Sequence, residues 1–302
     1  MEIPQHGHEP VLLRQVLQLT DPQPGDIVLD CTVGRGGHAA AIAQRIKPNG
    51  LLLCVDVDPA NLEYAKVRLA GLEVRCRFFQ ANFAELDEIL STAGVKNADV
   101  ILADLGVSTN QLFSEKYGLS FSIDGPLDMR LDPRISQNAA DLLGSLPEKE
   151  LADLIYALSE ERYSRRIARA VVEARRQGPI TRTKQLADIV HSVTGPVRHG
   201  RIDAATRTFQ ALRIAVNGEL DHLKALLQTL PKVISLGGRA ALISFHSGED
   251  RLVKQAMREW RYEGRCEILT GKPVTADEPE LMNNPRSRSA KLRVARFGRT
   301  DT

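Results

Sequence analysis

Short apolar runs alternate with amphipathic stretches through the first third of the chain. The apolar runs predict four buried strands, at Ile27–Leu29, Leu51–Val55, Val74–Phe79 and Ala98–Ala103. Apolar residues at helical spacing, with Pro and Gly at the ends, predict helices between them, at Ala39–Ile46, Pro59–Leu69 and Ala84–Leu90. Strands that alternate with helices in this way predict a parallel sheet with helices on both faces.

This alternation stops near Gly106. Residues 107–205 contain no comparable apolar run; a polar loop is followed by helices predicted at Glu148–Leu158, Ser164–Arg176 and Thr183–Val193. Strand patterns return at Arg239–Phe245, weakly at Glu267–Leu269, and at Lys291–Phe297, with helices at Glu219–Leu230 and Glu249–Trp260. We therefore predict an α/β core formed by residues 1–106 and 206–302, interrupted by an inserted helical domain at 107–205.

The composition excludes several classes of protein. With 302 residues, 43% hydrophobic and 26% charged, the chain is not expected to be disordered, collagenous or a coiled coil. No apolar run exceeds five residues, whereas a membrane span needs about 20. The N-terminus lacks a signal-peptide pattern, so we expect a cytoplasmic protein with no membrane partner. Four separated cysteines without a Cys-x-x-Cys pair predict buried thiols and no metal site.

The distribution of charge is more informative than the net charge of +2. Arg outnumbers Lys by 29 to 11, and two segments are strongly basic. Residues 162–184 contain eight basic side chains and one acid, and residues 286–302 contain six and one. The planar guanidinium group matches phosphate, so contact with nucleic acid is one interpretation. A solvated helix face explains the same pattern equally well.

A glycine-rich turn follows the first predicted strand, in the sequence Gly34-Arg35-Gly36-Gly37-His38. Glycine allows a backbone to approach a ligand closely, and Asp56 ends the next strand at the distance expected for a ribose contact. Asp56 could instead cap the helix that starts at Pro59. The spacing Gly-x-Gly-x-x-Gly is absent, which argues against a nicotinamide dehydrogenase. Phe83, after the third strand, could hold an adenine or belong to the core.

Longer and more specific motifs begin at the end of the fourth strand. They are Asp104-Leu105-Gly106-Val107-Ser108, Asp124–Arg130, Ala205–Arg213, Ser244–Ser247 with Glu249-Asp250-Arg251, and Asn284–Arg293. Together with His8–Leu13, these motifs closely resemble the bacterial ribosomal RNA small-subunit methyltransferase H family, also called MraW. The resemblance extends over nearly the whole chain.

This resemblance implies an S-adenosylmethionine-dependent enzyme that methylates the N4 atom of a cytidine in the decoding centre of 16S ribosomal RNA. It also implies a Rossmann-like methyltransferase sheet, with the insertion as a substrate-recognition domain and the small ribosomal subunit as partner. No metal is required, and a homodimer remains open. Position by position, the implied cofactor contacts are Gly36, Gly37, His38, Asp56, Phe83, Asp104 and Gln111.

Three residues are candidates for catalysis. The lone pair of cytosine N4 is delocalised into the ring, so an acceptor for its N–H would help the amine to react. Asp104 could supply that acceptor or bind the methionine amine of the cofactor, and the resemblance favours the second role. Ser108 could contact the cytosine, and His246 is either a general base or a structural histidine. Phe245 or Phe121 could stack on a base that has left its helix.

Some features leave the substrate side open. The chain departs from the family pattern at Asn110, Phe113, Leu158-Ser159, Asp203-Ala204 and Gly248. A polar stripe on the helix predicted over 206–217 faces either a cleft or solvent; it comprises Thr206, Gln210, Arg213 and Asn217. Methylation of DNA or another RNA is one alternative function. A catalytically silent assembly factor that binds ribosomal RNA is another, although the intact cofactor positions count against it.

Overall fold

A computed structural model of the chain describes residues 10–195 and 203–298. His8 and Glu9 of the first motif, and Arg299 of the basic tail, lie outside the described residues. The chain divides into two compact units, one formed by residues 1–106 and 221–302 and the other by Val107–Leu220. No helix in the two described ranges has both the length and the apolar character needed to cross a membrane.

The helices, in chain order, are α1 (Leu13–Thr20), α2 (Gly37–Ile46), α3 (Pro59–Leu69), α4 (Leu86–Thr92), α5 (Thr109–Leu112), α6 (Ala139–Ser145), α7 (Glu148–Ser159), α8 (Ser164–Arg175), α9 (Thr183–Thr194), α10 (Ala204–Asn217), α11 (Glu219–Val233), α12 (Ser247–Tyr262) and α13 (Glu278–Asn283). Short 3-10 turns cover Phe83–Glu85 and Pro285–Ser289. The strands are β1 (Ile27–Asp30), β2 (Leu51–Asp56), β3 (Arg75–Gln80), β4 (Ala98–Asp104), β5 (Ile234–Ser244), β6 (Cys266–Ile268) and β7 (Lys291–Phe297).

The strands form one sheet in the order β3-β2-β1-β4-β5-β7-β6. Strands β1 to β5 pair in parallel, and the chain crosses from the β3 side of β1 to β4 on its other side. This reversal is the switch point of a Rossmann-like sheet, and it confirms the predicted fold class. The sheet is not parallel throughout, since β7 runs antiparallel to β5 and β6. An apolar run shows that a strand is buried but carries no information about its direction.

Helices cover both faces of the sheet, so the inner strands bury side chains on both sides. In β2, Leu51 and Leu53 pack on the face that carries α4, α11 and α12. Leu52 and Cys54 pack on the opposite face, against α1, α2 and α3. Burial on two faces explains why these strands appear in the sequence as uninterrupted apolar runs rather than as alternating patterns.

The inserted unit is helical and has its own core. Side chains from five helices meet there, including Leu143 of α6, Leu151 of α7, Ile167 of α8, Leu186 of α9 and Phe209 of α10. The predicted boundary after residue 205 is therefore too early, because α10 packs with the inserted helices and the unit extends to Leu220. The apolar stripe of α10 predicts burial, but the stripe alone does not indicate which core receives it.

The polar stripe of α10 is mainly structural. Asn217 is 7% exposed, and its amide accepts from Leu131 N–H at 2.8 Å and donates to Met129 O at 2.8 Å. These two bonds fix the backbone around Met129, whose φ of 65° lies in the left-handed region. Arg213 forms two hydrogen bonds with Glu219, at 2.8 and 2.9 Å. The prediction of a stripe that faces a cleft or solvent is thus wrong at Arg213 and Asn217.

We expect Asn217→Ala to lower the free energy of unfolding by about 3 kcal/mol, because it leaves the buried amide of Leu131 and the carbonyl of Met129 without partners. Chemical denaturation would measure the change. Thr206→Ala, at an exposed position of the same helix, is the matched control and should have little effect. Equal stability of the two variants would contradict this role for Asn217.

Candidate active site

Three carboxyl groups lie at one edge of the sheet, since β1, β2 and β4 end in Asp30, Asp56 and Asp104. Adjacent parallel strands bring their carboxyl ends to the same edge, which is where α/β proteins bind ligands. Burial, together with the charges of Asp104 and Asp56, raises the pKa of Asp30 to about 7. Burial likewise raises the pKa of Asp56 to about 6 and that of Asp104 to about 7.

Asp56 connects the glycine-rich turn to the start of α3. Its carboxylate accepts hydrogen bonds from Gly34 N–H at 2.9 Å, Asp58 N–H at 2.9 Å and Asn61 Nδ2 at 3.2 Å. The N-cap of α3 is Asp58, which accepts from Ala60 N–H at 2.9 Å, so the alternative that Asp56 caps this helix is wrong. The ribose contact of Asp56 stays a prediction.

The glycine-rich turn is held close to its neighbours. Gly36 has a φ of 72°, which favours glycine, and α2 begins at the next residue. A Cβ on Gly36 would lie 3.5 Å from Ala65 Cα in α3. At its three glycines the turn therefore presents backbone, whereas its last residue, His38, carries a side chain.

His38 and Asp104 face each other across this edge. The Val11 carbonyl can only accept, so His38 Nε2 donates to it at 2.9 Å and carries the hydrogen. The other ring nitrogen, Nδ1, lies 3.9 Å from Asp104 Oδ2. Asp104 Oδ1 is buried and has no hydrogen-bond partner among the described residues. A buried acceptor without a donor is uncommon in folded proteins, and it fits a ligand that brings an N–H group.

His246 caps a helix at the same edge. It precedes α12, and its Nδ1 accepts from Glu249 N–H at 3.4 Å. Glu249, which is 3% exposed, accepts in return from Phe245 N–H at 2.8 Å and His246 N–H at 3.3 Å. These contacts favour the structural interpretation of His246. Our sequence reasoning gave Glu249 no role, although its spacing three residues after the cap is that of a capping box.

The two aromatic candidates for base stacking differ in their surroundings. The Phe245 ring lies beside Gly106, where an added Cβ would come within 2.7 Å of Cε2, so this position admits no side chain. Phe121 belongs to the inserted unit and packs edge-on against Phe209, with centroids 5.4 Å apart, and against His191 at 6.1 Å. Phe121 is thus part of the packing of that unit.

The remaining predicted residues also lie in the inserted unit. Gln111 is buried on α5, and its Oε1 accepts from Ser108 N–H at 3.0 Å. Ser108 Oγ is buried, with no hydrogen-bond partner in the described part of the chain. Asp203, one of the departures from the family pattern, caps α10 through Ala205 N–H at 2.8 Å and contacts His191 at 3.0 Å. That departure therefore serves the local fold.

Many basic residues in the two Arg-rich segments have partners within their own unit. In the first segment, Arg166 donates to Val193 O, Arg175 to the carbonyls of Leu143 and Leu146, and Arg182 to Asp124. In the second, Arg293 and Lys291 pair with Asp250, and Arg296 pairs with Glu267. These side chains therefore have partners within the protein, and contact of the two segments with phosphate stays a prediction.

His222 is a residue that sequence reasoning missed. Asn82 caps the 3-10 turn at Phe83 by accepting from Ala84 N–H at 2.9 Å, which orients its Nδ2 toward His222 Nδ1 at 3.0 Å. The His222 ring also meets Phe83 edge-on, with centroids 6.4 Å apart. His222 therefore secures both Phe83 and the residue before it. A histidine on an amphipathic helix, 140 residues from Asn82, gives no local signal of this contact.

Comparison with known proteins places this geometry in a family. The model of the MraW methylase family matches residues 5–298. The chain belongs to this family. A ribosomal RNA small subunit methyltransferase H from Syntrophobacter fumaroxidans is 46% identical, over 95% of each chain. Proteins of the same name from Acidobacterium capsulatum and Sorangium cellulosum are 45% and 47% identical, over 95% and 96% of this chain and 97% and 90% of theirs.

Membership of the MraW family confirms the recognition made from the motifs, the methyl-transfer chemistry and the cofactor, S-adenosylmethionine. The edge of the sheet fits that cofactor, which carries a sulfonium cation and an ammonium group. Asp30 is 1% exposed, Asp56 and Asp104 are partly buried, and Asp104 Oδ1 has no donor among the described residues. Of the predicted contacts, Gly36, Gly37, His38, Asp56, Phe83 and Asp104 follow or end the strands along this edge, and Gln111 lies in the inserted unit.

We expect the affinity for S-adenosylmethionine to fall about tenfold as the pH falls from about 8 to about 6. A pKa raised to about 7 means that Asp104 is mostly ionised at the upper pH and mostly protonated at the lower one, and Asp30 follows the same course. Calorimetry across this range would measure it. S-adenosylhomocysteine, which carries the same ammonium group, should show a similar pH dependence. An affinity that does not change between these pH values would contradict this electrostatic role.

Substitutions at His222 should weaken cofactor binding if Phe83 faces the adenine. His222→Phe keeps a ring against Phe83 but removes the acceptor, and His222→Asn keeps an acceptor but removes the ring. Each should raise KM for S-adenosylmethionine by about fivefold, with kcat unchanged. Each removes one contact that positions Phe83, and that contact contributes about 1 kcal/mol to cofactor binding. Lys224→Ala, on the same helix, is the control. Unchanged KM in both His222 variants, beside a raised KM in Phe83→Ala, would contradict the prediction.

Proposed function

We propose that this protein uses S-adenosylmethionine to methylate the N4 atom of a cytidine in the decoding centre of 16S ribosomal RNA. It would act in the cytoplasm on the small ribosomal subunit, with the inserted unit as the substrate-recognition domain. Family membership supports the chemistry, and the names of the relatives support the substrate class. The observation that carries the proposal is the buried, unpartnered Asp104 Oδ1 at the carboxyl edge of the sheet.

The first unit supplies the cofactor contacts. The bound cofactor supplies an electrophilic methyl group on a sulfonium. Asp56 accepts hydrogen bonds from the ribose hydroxyls, using the carboxylate lone pairs that Gly34, Asp58 and Asn61 do not occupy. Phe83 packs on the adenine, and the Gly36–Gly37 backbone allows close approach. His38, fixed by Val11, faces Oδ2 of Asp104 and leaves Oδ1 for the ligand.

Asp104 binds the ammonium group of the cofactor's methionine. Oδ1 requires a donor, and both that ammonium group and the cytosine amine would provide one. A charge-assisted bond is about twice as strong as a neutral one, so the ammonium group relieves more of the cost of burying the carboxylate. The raised pKa of Asp104 supports this preference, because burial opposes the charge and a cation restores it.

His246 acts as a hydrogen-bond donor rather than as a general base. Its Nδ1 already accepts from Glu249 N–H, so the hydrogen of the neutral ring lies on Nε2. That nitrogen is buried and lies 3.3 Å from Glu249 Oε1, without forming a hydrogen bond to it or to another described residue. Cytosine presents acceptors at O2 and N3, which Nε2–H would match. The contacts of Ser108 and Gln111 with the ligands remain predictions from the sequence.

The decisive experiment is methyl transfer to small ribosomal subunits from a strain that lacks the activity. Labelled S-adenosylmethionine should yield N4-methylcytidine at one position of 16S ribosomal RNA. Duplex DNA and protein-free RNA serve as competing substrates. Label found in DNA, or in a nucleoside other than N4-methylcytidine, would contradict the proposed substrate. Binding of subunits without any transfer would indicate the silent assembly factor.

Asp104→Asn separates the two roles of the carboxylate. We expect cofactor affinity and turnover to fall together, by about tenfold or more in affinity, because a charge-assisted bond to the ammonium group is lost. Calorimetry and single-turnover rates would measure the two effects. Native affinity with reduced turnover would assign Asp104 to the cytosine amine. Wild-type cofactor affinity together with wild-type turnover would contradict both roles of Asp104.

A further inference from the structure

Helix α12 leads away from the carboxyl edge and carries a basic stripe. It begins at Ser247, directly after β5 and the capping residue His246, and buries Val253, Met257 and Trp260 against the sheet. Lys254, Arg258 and Arg261 are exposed on the side of the helix that borders this buried face. At 3.6 residues per turn, these three positions fall within an arc of about 60°, so they form one row along the helix.

No acid forms an ion pair with this row in the part of the chain that the structure describes. The nearby Glu259 bonds to Gln255 at 3.0 Å, and Glu263 pairs with Arg265 at 2.8 Å. Within residues 10–195 and 203–298, none of Lys254, Arg258 and Arg261 forms an ion pair. Like charges four residues apart, such as Lys254 and Arg258, destabilise a helix. A solvated helix face usually alternates charges instead, so this row is better explained by an anionic partner.

An aromatic ring stands at the end of the row. Tyr262, four residues after Arg258, is 94% exposed. An exposed ring beside basic side chains is how proteins hold single-stranded nucleic acid, with bases stacked on the ring and phosphates bound by the cations. Other acidic partners, such as an acidic protein surface, would use the charges but offer no base for the ring.

We propose that Lys254, Arg258, Arg261 and Tyr262 bind the RNA strand that flanks the target nucleotide. The proposal rests on the proposed function, since it presumes an RNA substrate. At 1.5 Å per residue, Lys254 lies about 10 Å and Tyr262 about 22 Å along the helix from Ser247. The row thus follows the strand over successive nucleotides outward from the catalytic edge. Both Arg-rich segments identified in the sequence lie elsewhere, and many of their basic side chains are engaged within the protein.

Salt dependence tests the phosphate contacts. For the double variant Lys254→Gln/Arg258→Gln, we plot the logarithm of the affinity for small ribosomal subunits against the logarithm of the salt concentration. The slope should become shallower by about 1.4, or about 0.7 for each lost contact on single-stranded RNA. The control is Lys66→Gln/Lys224→Gln, which removes the same charge from two exposed lysines paired with Glu63 and Asp221. The control should keep the wild-type slope, and both double variants should keep the wild-type affinity for S-adenosylmethionine.

Substitutions at Tyr262 test the stacking. Tyr262→Ala should weaken binding to the subunits by about tenfold or more, and Tyr262→Phe should retain it, because only the ring is required. A wild-type slope for the α12 double variant, or an equal loss of slope in the control, would overturn the proposal. If wild-type protein neither binds nor methylates the subunits, the proposed function is refuted. If wild-type protein methylates them, the results of the α12 variants bear only on the role of this helix.

Discussion

The cofactor site depends on one constraint, the electrostatic cost of burying carboxyl groups at one edge of the sheet. Asp30, Asp56 and Asp104 end adjacent strands, and each pKa is raised because burial opposes ionisation. The strand order β2-β1-β4 makes their proximity unavoidable. A cationic ligand relieves this cost, so the cofactor and the edge are electrostatic complements. Functional sites commonly accept such local instability in exchange for binding.

The surroundings of these carboxyl groups are specialised to hold them in place. Thr32 Oγ1 accepts from the backbone of Asp104 at 2.7 Å, and Asp30 accepts from Thr32 N–H at 3.2 Å, so one residue serves two strands. His38 is fixed by Val11 and faces Asp104. On the β5 side, Glu249 ties the backbone of Phe245 and His246 to α12. The site is therefore built from backbone contacts as much as from side chains.

The sequence predicted the strands and the glycine turn because both depend on local patterns. Burial of β2 on two faces produces a continuous apolar run, and the turn requires Gly36. The direction of β7 and the end of the insertion were not predictable in this way. The apolar stripe of α10 looks the same whichever core it enters. Likewise, the contact between Asn82 and His222 depends on tertiary packing, which no local pattern records.

The bond between Gly34 and Asp56 also bears on how the protein acquires its site. It joins residues 22 positions apart, and the same carboxylate holds Asn61. A glycine-rich segment has high conformational entropy and little shape of its own. The turn becomes ordered only when β2 lies beside β1 and α3 has formed. A growing chain therefore has no complete cofactor edge until its synthesis has passed both Asn61 and Asp104, and the ability to bind the cofactor depends on tertiary structure rather than on the motif alone.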